Sequence, residues 1–169
     1  MPSKAKKKSS SKAKVARRPK DAVALLRADH TTVEELFEKF EKTRDDAKKL
    51  QIAQLICMEL KIHAAIEEEL FYPAVREVLP KEEDLLDEAE VEHASAKDLI
   101  AQIESGSPSD EKWDAKVTVL REYIKHHVKE EQNEMFPKVK KTKLDLVELG
   151  TRLQARKNEL ASSMTSSLQ

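Results

Sequence analysis

From Asp21 to about Ala161, apolar residues recur at helical spacing, and the pattern divides into five segments. Asp21 to about Lys42 carries Val23, Leu26, His30, Val33, Phe37 and Phe40 on one stripe. Asp45 to about Leu79 carries Ile52, Leu55, Ile56, Leu60, His63, Ile66 and Leu70. Glu82 to about Ser105 carries Leu85, Leu86, Ala89, His93, Ala96 and Ile100. Asp110 to about Lys141 carries Trp113, Val117, Leu120, Ile124, His127 and Met135, and Leu144 to about Ala161 carries Leu146, Leu149, Leu153 and Leu160. Pro80 and Ser105-Gly106-Ser107-Pro108 separate segments. Pro73 and Pro137 fall inside long patterns and predict a kink or local break, because proline lacks the amide donor and crowds the preceding turn. Two short-linked helix pairs read as antiparallel hairpins. The expected fold is all-α: an up-down four-helix bundle with an additional C-terminal helix docked outside it.

Composition supports this choice. The 169 residues suit one domain, and 39% apolar content suffices for one core. One Trp, two Tyr, four Phe and two Gly are too few for a sandwich or barrel with its tight turns. The same glycine scarcity argues against a phosphate-cradling loop. A single cysteine, Cys57, excludes an internal disulfide framework and a cysteine-rich zinc ribbon, and it reads as a small buried hydrophobe. No apolar signal region follows the basic N-terminus, and no run approaches a membrane span of about 18 apolar residues. A soluble, cytoplasmic protein is expected.

The net charge of −1 conceals an asymmetry. Residues 1–20 hold nine Lys or Arg and no acid, leaving 22 basic and 32 acidic residues in 21–169. This low-complexity stretch is expected to be a disordered basic tail and 162–169 a disordered C-terminal tail, with the folded domain spanning 21–161. Residues 1–20 can serve as a solubilising tail or make weak contact with nucleic acid or an anionic surface. No aromatic is interleaved with the lysines to stack on bases.

An internal repeat carries the chemistry. Asp29-His30 is followed by His63, Glu67 and Pro73; Glu92-His93 is followed by His127, Glu131 and Pro137. The His-to-His separations are 33 and 34, His-to-Glu is four in both halves, and His-to-Pro is ten in both. Residues four apart share a helix face, so His63 with Glu67 and His127 with Glu131 project together from apolar stripes. An inward carboxylate is costly to desolvate unless something pairs with it, and no Lys or Arg lies on the stripe beside Glu67. A lone His on an apolar stripe is more often a hydrogen-bonded core residue than a ligand. Four at matched positions, two followed by Glu, instead predict a polyvalent metal site of His30, His63, Glu67, His93, His127 and Glu131. Such donors suit iron, manganese or zinc. His126 with Glu130 offers the same spacing, but the repeat aligns His127 with His63, and His126 has Glu122, Lys129 and Glu130 as same-face neighbours. Glu134 and Tyr123 are candidates for the surroundings of the site; Tyr123 reads equally well as packing.

These motifs, LLRADHTTVEELF (25–37), HAAIEEELFYP (63–73), EHASAKDLI (92–100) and HHVKEEQNEMFP (126–137), resemble the hemerythrin-like HHE cation-binding domains over about residues 21–160. The resemblance implies a bundle holding a non-haem di-iron centre. His30, His63, Glu67, His93, His127 and Glu131 would be the ligands, with Glu67 and Glu131 bridging two iron ions. Oxygen-carrying hemerythrins place a further His one turn after the third-helix His; here Lys97 stands there. The four-His, two-Glu set looks more like that of di-iron proteins proposed to repair iron–sulfur clusters, whose cysteine-bearing N-terminal domain has no counterpart in residues 1–20. Three functions follow as expectations. The first is a protein that binds or senses oxygen, nitric oxide or redox state. The second is a di-iron enzyme reducing peroxide or assisting cluster repair. The third is a zinc-bound or metal-free interaction module with a nucleic-acid-contacting tail.

Overall fold

The computed structural model describes residues 20–166, so the basic segment, and with it the expected nucleic-acid contact, lies almost wholly outside the described residues. The described residues are helical, with no strand among them. The main helices are α1 (Ala22–Lys42), α2 (Asp46–Ile66), α4 (Glu83–Glu104), α5 (Trp113–Glu130) and α7 (Leu146–Ser166). Short helices α3 (Tyr72–Val78) and α6 (Phe136–Lys140) extend α2 and α5. No helix among the described residues is long and apolar enough to cross a membrane.

Helix starts follow from side-chain caps. Asp21 accepts from the Ala24 amide and Asp45 from the Lys48 amide, both at 2.8 Å, satisfying donors that a first turn leaves free. The second long segment begins one residue after Asp45, as its pattern predicts. The fourth begins at Trp113 rather than near Asp110, because residues 107–112 form turns in which the Asp110 carboxylate accepts from the Ser107 amide. The last helix continues to Ser166, beyond the boundary at 161, so the expected disorder of 162–169 does not hold for 162–166.

The interruptions expected at Pro73 and Pro137 take a specific form. Glu67–Phe71 and Glu131–Met135 are π-helical turns, in which the Tyr72 and Phe136 amides donate to the Glu67 and Glu131 carbonyls five residues back. Each proline then falls at the second residue of the following short helix, where its missing donor is tolerated. Both wide turns start at the glutamate of a His-x-x-x-Glu pair.

Two apolar clusters fill the bundle. One gathers Val23, Leu26, Ile66, Phe71, Leu86 and Phe136; the other gathers Phe37, Ile56, Leu60, Ile100, Trp113 and Leu120. Along α1, α2 and α4, the repeat histidine stands between residues of the two clusters, as His30 does between Leu26 and Val33. The His/Glu residues thus form a polar layer between two dry ones. Cys57 lies in the second cluster, its thiol pushed up to about 12 by burial and, less, by Glu104. Helix α7 packs on α1, α2 and the first π turn, with Leu149 and Leu153 in the first cluster.

Candidate metal centre

All six residues of the sequence-derived set are buried and converge. His30, His63, Glu67 and Glu131 present ligand-type atoms within 4.8 Å of one another, and Glu67, His93 and His127 do the same. Glu67, fully buried, belongs to both groups. Its Oε1 is 2.9 Å from His63 Nε2 and its Oε2 is 3.2 Å from His93 Nε2. Glu131 Oε2 is 3.1 Å from His30 Nε2 and 3.9 Å from His127 Nε2.

The imidazoles are oriented from outside. His63 Nδ1 lies 3.2 Å from Asp29 Oδ2, His127 Nδ1 2.7 Å from Glu92 Oε2, His93 Nδ1 3.0 Å from Glu68 Oε1, and His30 Nδ1 3.0 Å from Gln132 Oε1. The pattern follows the repeat. The acid before the first histidine of each half meets the second histidine of that half. The residue after each glutamate meets the first histidine of the other half.

Those partners are three carboxylates and an amide oxygen, acceptors that engage each Nδ1 and leave the Nε2 edge of each ring facing inward. Yet His30 and His63 face each other at 3.1 Å between Nε2 atoms, and His93 and His127 at 3.2 Å. Nitrogens at that distance call for something shared between them, a proton or a metal ion. Two nitrogens held at about 2.1 Å from one ion, a right angle apart, stand about 3 Å from each other. Glu67 Oε1 and both oxygens of Glu131 are buried with no hydrogen-bond partner. Their short distances to imidazole nitrogens lack hydrogen-bond geometry, as expected for donors aimed at a shared point. The residues present therefore fit a metal centre.

The charges respond to this crowding. Burial opposes ionisation of both His63 and Glu67, but each holds the other charged, with Asp29 and His93 assisting. His63 is held well above the usual imidazole range and Glu67 well below the usual carboxylate range. Burial and then the Glu67 charge push Glu131 up, against the pull of His30 and His127. Burial lowers His127, but the Glu92 hydrogen bond and the Glu131 charge outweigh it and raise it. Without metal, protons occupy positions that the ligand set would give to cations.

Other nominated residues lie elsewhere. Tyr123 is 48% exposed and Glu134 is exposed, so neither joins the cluster. The His126 side chain is 63% exposed, 3.3 Å from Glu92 and Glu130, on the surface assigned to it. His126→Ala is expected to leave metal content and thermal midpoint nearly unchanged; an effect as large as that of His63→Ala, by metal analysis and calorimetry, would refute the register. Lys97 binds both Glu68 oxygens at 2.7 Å. Sequence reasoning missed Tyr72, whose fully buried hydroxyl donates to Glu67 Oε2 at 3.1 Å and lies 3.3 Å from His93 Nε2. Its counterpart in the repeat, Phe136, stacks on His30 without a polar atom to offer. The two ends of the cluster are therefore unequal.

A cavity of about 30 Å³ adjoins the imidazoles, walled by Val33, Leu60, Ala64, Ala96, Ile100 and Ile124. It accommodates one or two water-sized molecules.

A four-helix bundle enclosing a buried His/Glu cluster that can hold metal ions defines a class of protein, and comparison with known proteins gives the family. Residues 21–139 match the hemerythrin HHE cation-binding domain, and the chain belongs to that family, whose members bind metal ions. It is 30% identical over 118 residues to a DNA nickase of Nostoc sp., a match covering 69% of this chain but 32% of that relative. A crystal structure of a hemerythrin HHE cation-binding domain-containing protein from Mycobacterium kansasii superposes with a TM-score of 0.76. It is 24% identical and covers 88% of this chain and 92% of its own; this shows likeness of fold.

Proposed function

We propose that this is a non-haem di-iron protein that binds or senses a small ligand: oxygen, nitric oxide or a peroxide. His30, His63, Glu67, His93, His127 and Glu131 would hold the two ions, with Glu67 and Glu131 shared between them. The observation that carries this reading is the two pairs of facing Nε2 atoms beside buried, unpartnered carboxylate oxygens. Six imidazole and carboxylate donors suit iron better than the four-coordinate, thiolate-rich sites of structural zinc. Two irons held there would supply electron transfer and a coordination position open to a small oxidant.

The chain's own residues set the terms of access. Aliphatic walls keep the cavity beside the imidazoles small and apolar, favouring a diatomic molecule over a larger polar one. An adjoining cleft of about 320 Å³, bordered by Lys125 and Lys129, shares His30, Ile124 and Val128 with it, so these side chains stand between the cavity and the surface. The Tyr72 hydroxyl fixes Glu67 Oε2, and Asp29, Glu68, Glu92 and Gln132 hold the rings. The match to the DNA nickase spans a third of that relative, too little of it to carry its named activity over to this chain.

Anaerobic loading with ferrous iron is expected to give about two irons per chain and charge-transfer absorption after exposure to air. One tightly held zinc, with no iron uptake, would overturn the reading. Reversible spectral change with oxygen or nitric oxide marks a binder or sensor, whereas steady consumption of peroxide marks the enzyme.

A further inference from the structure

Helix α7 lies beyond the residues matched by the family model, yet one of its side chains reaches the ring of groups behind the imidazoles. The carboxylates that accept from the imidazoles are each met by a basic group: Glu68 by Lys97, Glu92 by His126 and Asp29 by Lys157. The fourth acceptor, Gln132, is neutral. Asp29 stands apart because it is buried, 6% exposed, whereas Glu68 and Glu92 face solvent in part. Its Oδ2 faces His63 Nδ1 and its Oδ1 pairs with Lys157 Nζ. A buried carboxylate that loses the partner of one oxygen turns toward water to satisfy it. That movement would release His63.

We infer that Lys157 is a positioning residue of the metal centre. By pairing with Asp29 Oδ1 it fixes the carboxylate in place and holds Oδ2 on His63 Nδ1. His63 Nε2 is thereby aimed into the cluster, and Lys157 adds a positive charge two groups from the metal. This inference rests on the metal-centre reading. Groups behind a ligand tune both its hold on the metal and the potential of the centre. Losing a positive charge so near favours the oxidised, more highly charged ions, so the potential should fall. Losing the anchor of Asp29 should free His63 and speed metal release. Helix α7 has independent attachments: Arg156 grips Glu69 at 2.7 and 3.2 Å, and Leu149 and Leu153 are buried. Replacing Lys157 should therefore not detach the helix.

The test uses the full chain loaded with iron. Lys157→Met should lower the midpoint potential and release iron to a ferrous chelator several-fold faster, below the roughly 10–100-fold loss typical of direct ligand partners. Lys157→Arg should restore both. Arg156→Met, which removes the neighbouring ion pair of the same helix, should change neither. Unchanged potential and release in Lys157→Met would overturn the inference, as would equal changes in Arg156→Met, since Lys157 would then merely pin the helix. Should the chain take up no iron, the metal reading fails, and the imidazole ¹⁵N resonances of His63 in metal-free protein decide separately. Movement of the Nδ1 signal in Lys157→Met but not in Arg156→Met supports the link through Asp29; no movement overturns it.

Discussion

Replacing Glu131 with glutamine is expected to abolish stable metal binding and, in the metal-free protein, to raise the thermal midpoint. The opposite signs have one cause. Glu131 is 1% exposed, its oxygens have no hydrogen-bond partner, and the Glu67 carboxylate is close enough to push its own carboxyl up. Without metal this is a buried group held at a cost, and an amide of the same shape removes the like-charge repulsion, a gain of about 1–2 kcal/mol. For a chain of this size that corresponds to about 2–8 °C. With metal the sign reverses, because binding energy contributes to folding and the variant lacks a shared anionic donor. His63→Ala should behave differently. It also loses metal, but it opens a void and strips the buried Asp29 of one partner, so both forms should be destabilised. Calorimetry of wild type and both variants, loaded and stripped, tests the pattern. A metal-free Glu131→Gln protein that melts lower than metal-free wild type would show that the glutamate is structural rather than reserved for a cation.

The bundle and the six converging residues were legible because both depend on regular α periodicity. Apolar stripes oriented each helix, the histidines stood on those stripes, and the repeat chose His127 over His126, which the structure places inside and outside respectively. What escaped depends on the two π turns and on contacts between helices. In an α-helix, a residue five positions after Glu67 points well away from it. The wide turn advances less per residue, and it brings Tyr72 back over the Glu67 carboxylate. The matching turn after Glu131 carries Glu134, three positions on, out to solvent. Tyr123 shares a flank with His127 but lies on the side of α5 away from Ile124, at the edge of the buried stripe. The acids of Asp29-His30 and Glu92-His93 were visible in the repeat. Their roles were not, because each serves a histidine more than thirty residues away.

The fifth helix shows how a feature invisible in periodicity can govern the site. Gly150 sits where α7 crosses the start of α1. A Cβ there would lie 2.3 Å from the Lys20 carbonyl oxygen and 2.8 Å from the Ala22 amide nitrogen, backbone atoms that cannot swing aside. Gly150→Ala should therefore force the helices apart and destabilise the protein by about 2–3 kcal/mol, at the upper end of ordinary overpacking. The expected fall in midpoint is about 4–12 °C. Any helix-propensity gain from alanine, about 1 kcal/mol, works against this and is smaller. Gly106→Ala gives the contrast: its Cβ would meet the Asp110 carboxylate and the Trp113 ring at 2.9 Å, side-chain rather than backbone atoms, so its effect should be the lesser. The displacement at Gly150 should also reach the metal centre, because the same helix carries Lys157 to Asp29. Faster iron release should accompany the lower midpoint in Gly150→Ala and be absent in Gly106→Ala. A Gly150→Ala protein as stable as wild type would mean that α7 does not seat against the start of α1, removing the packing on which its contribution to the site depends.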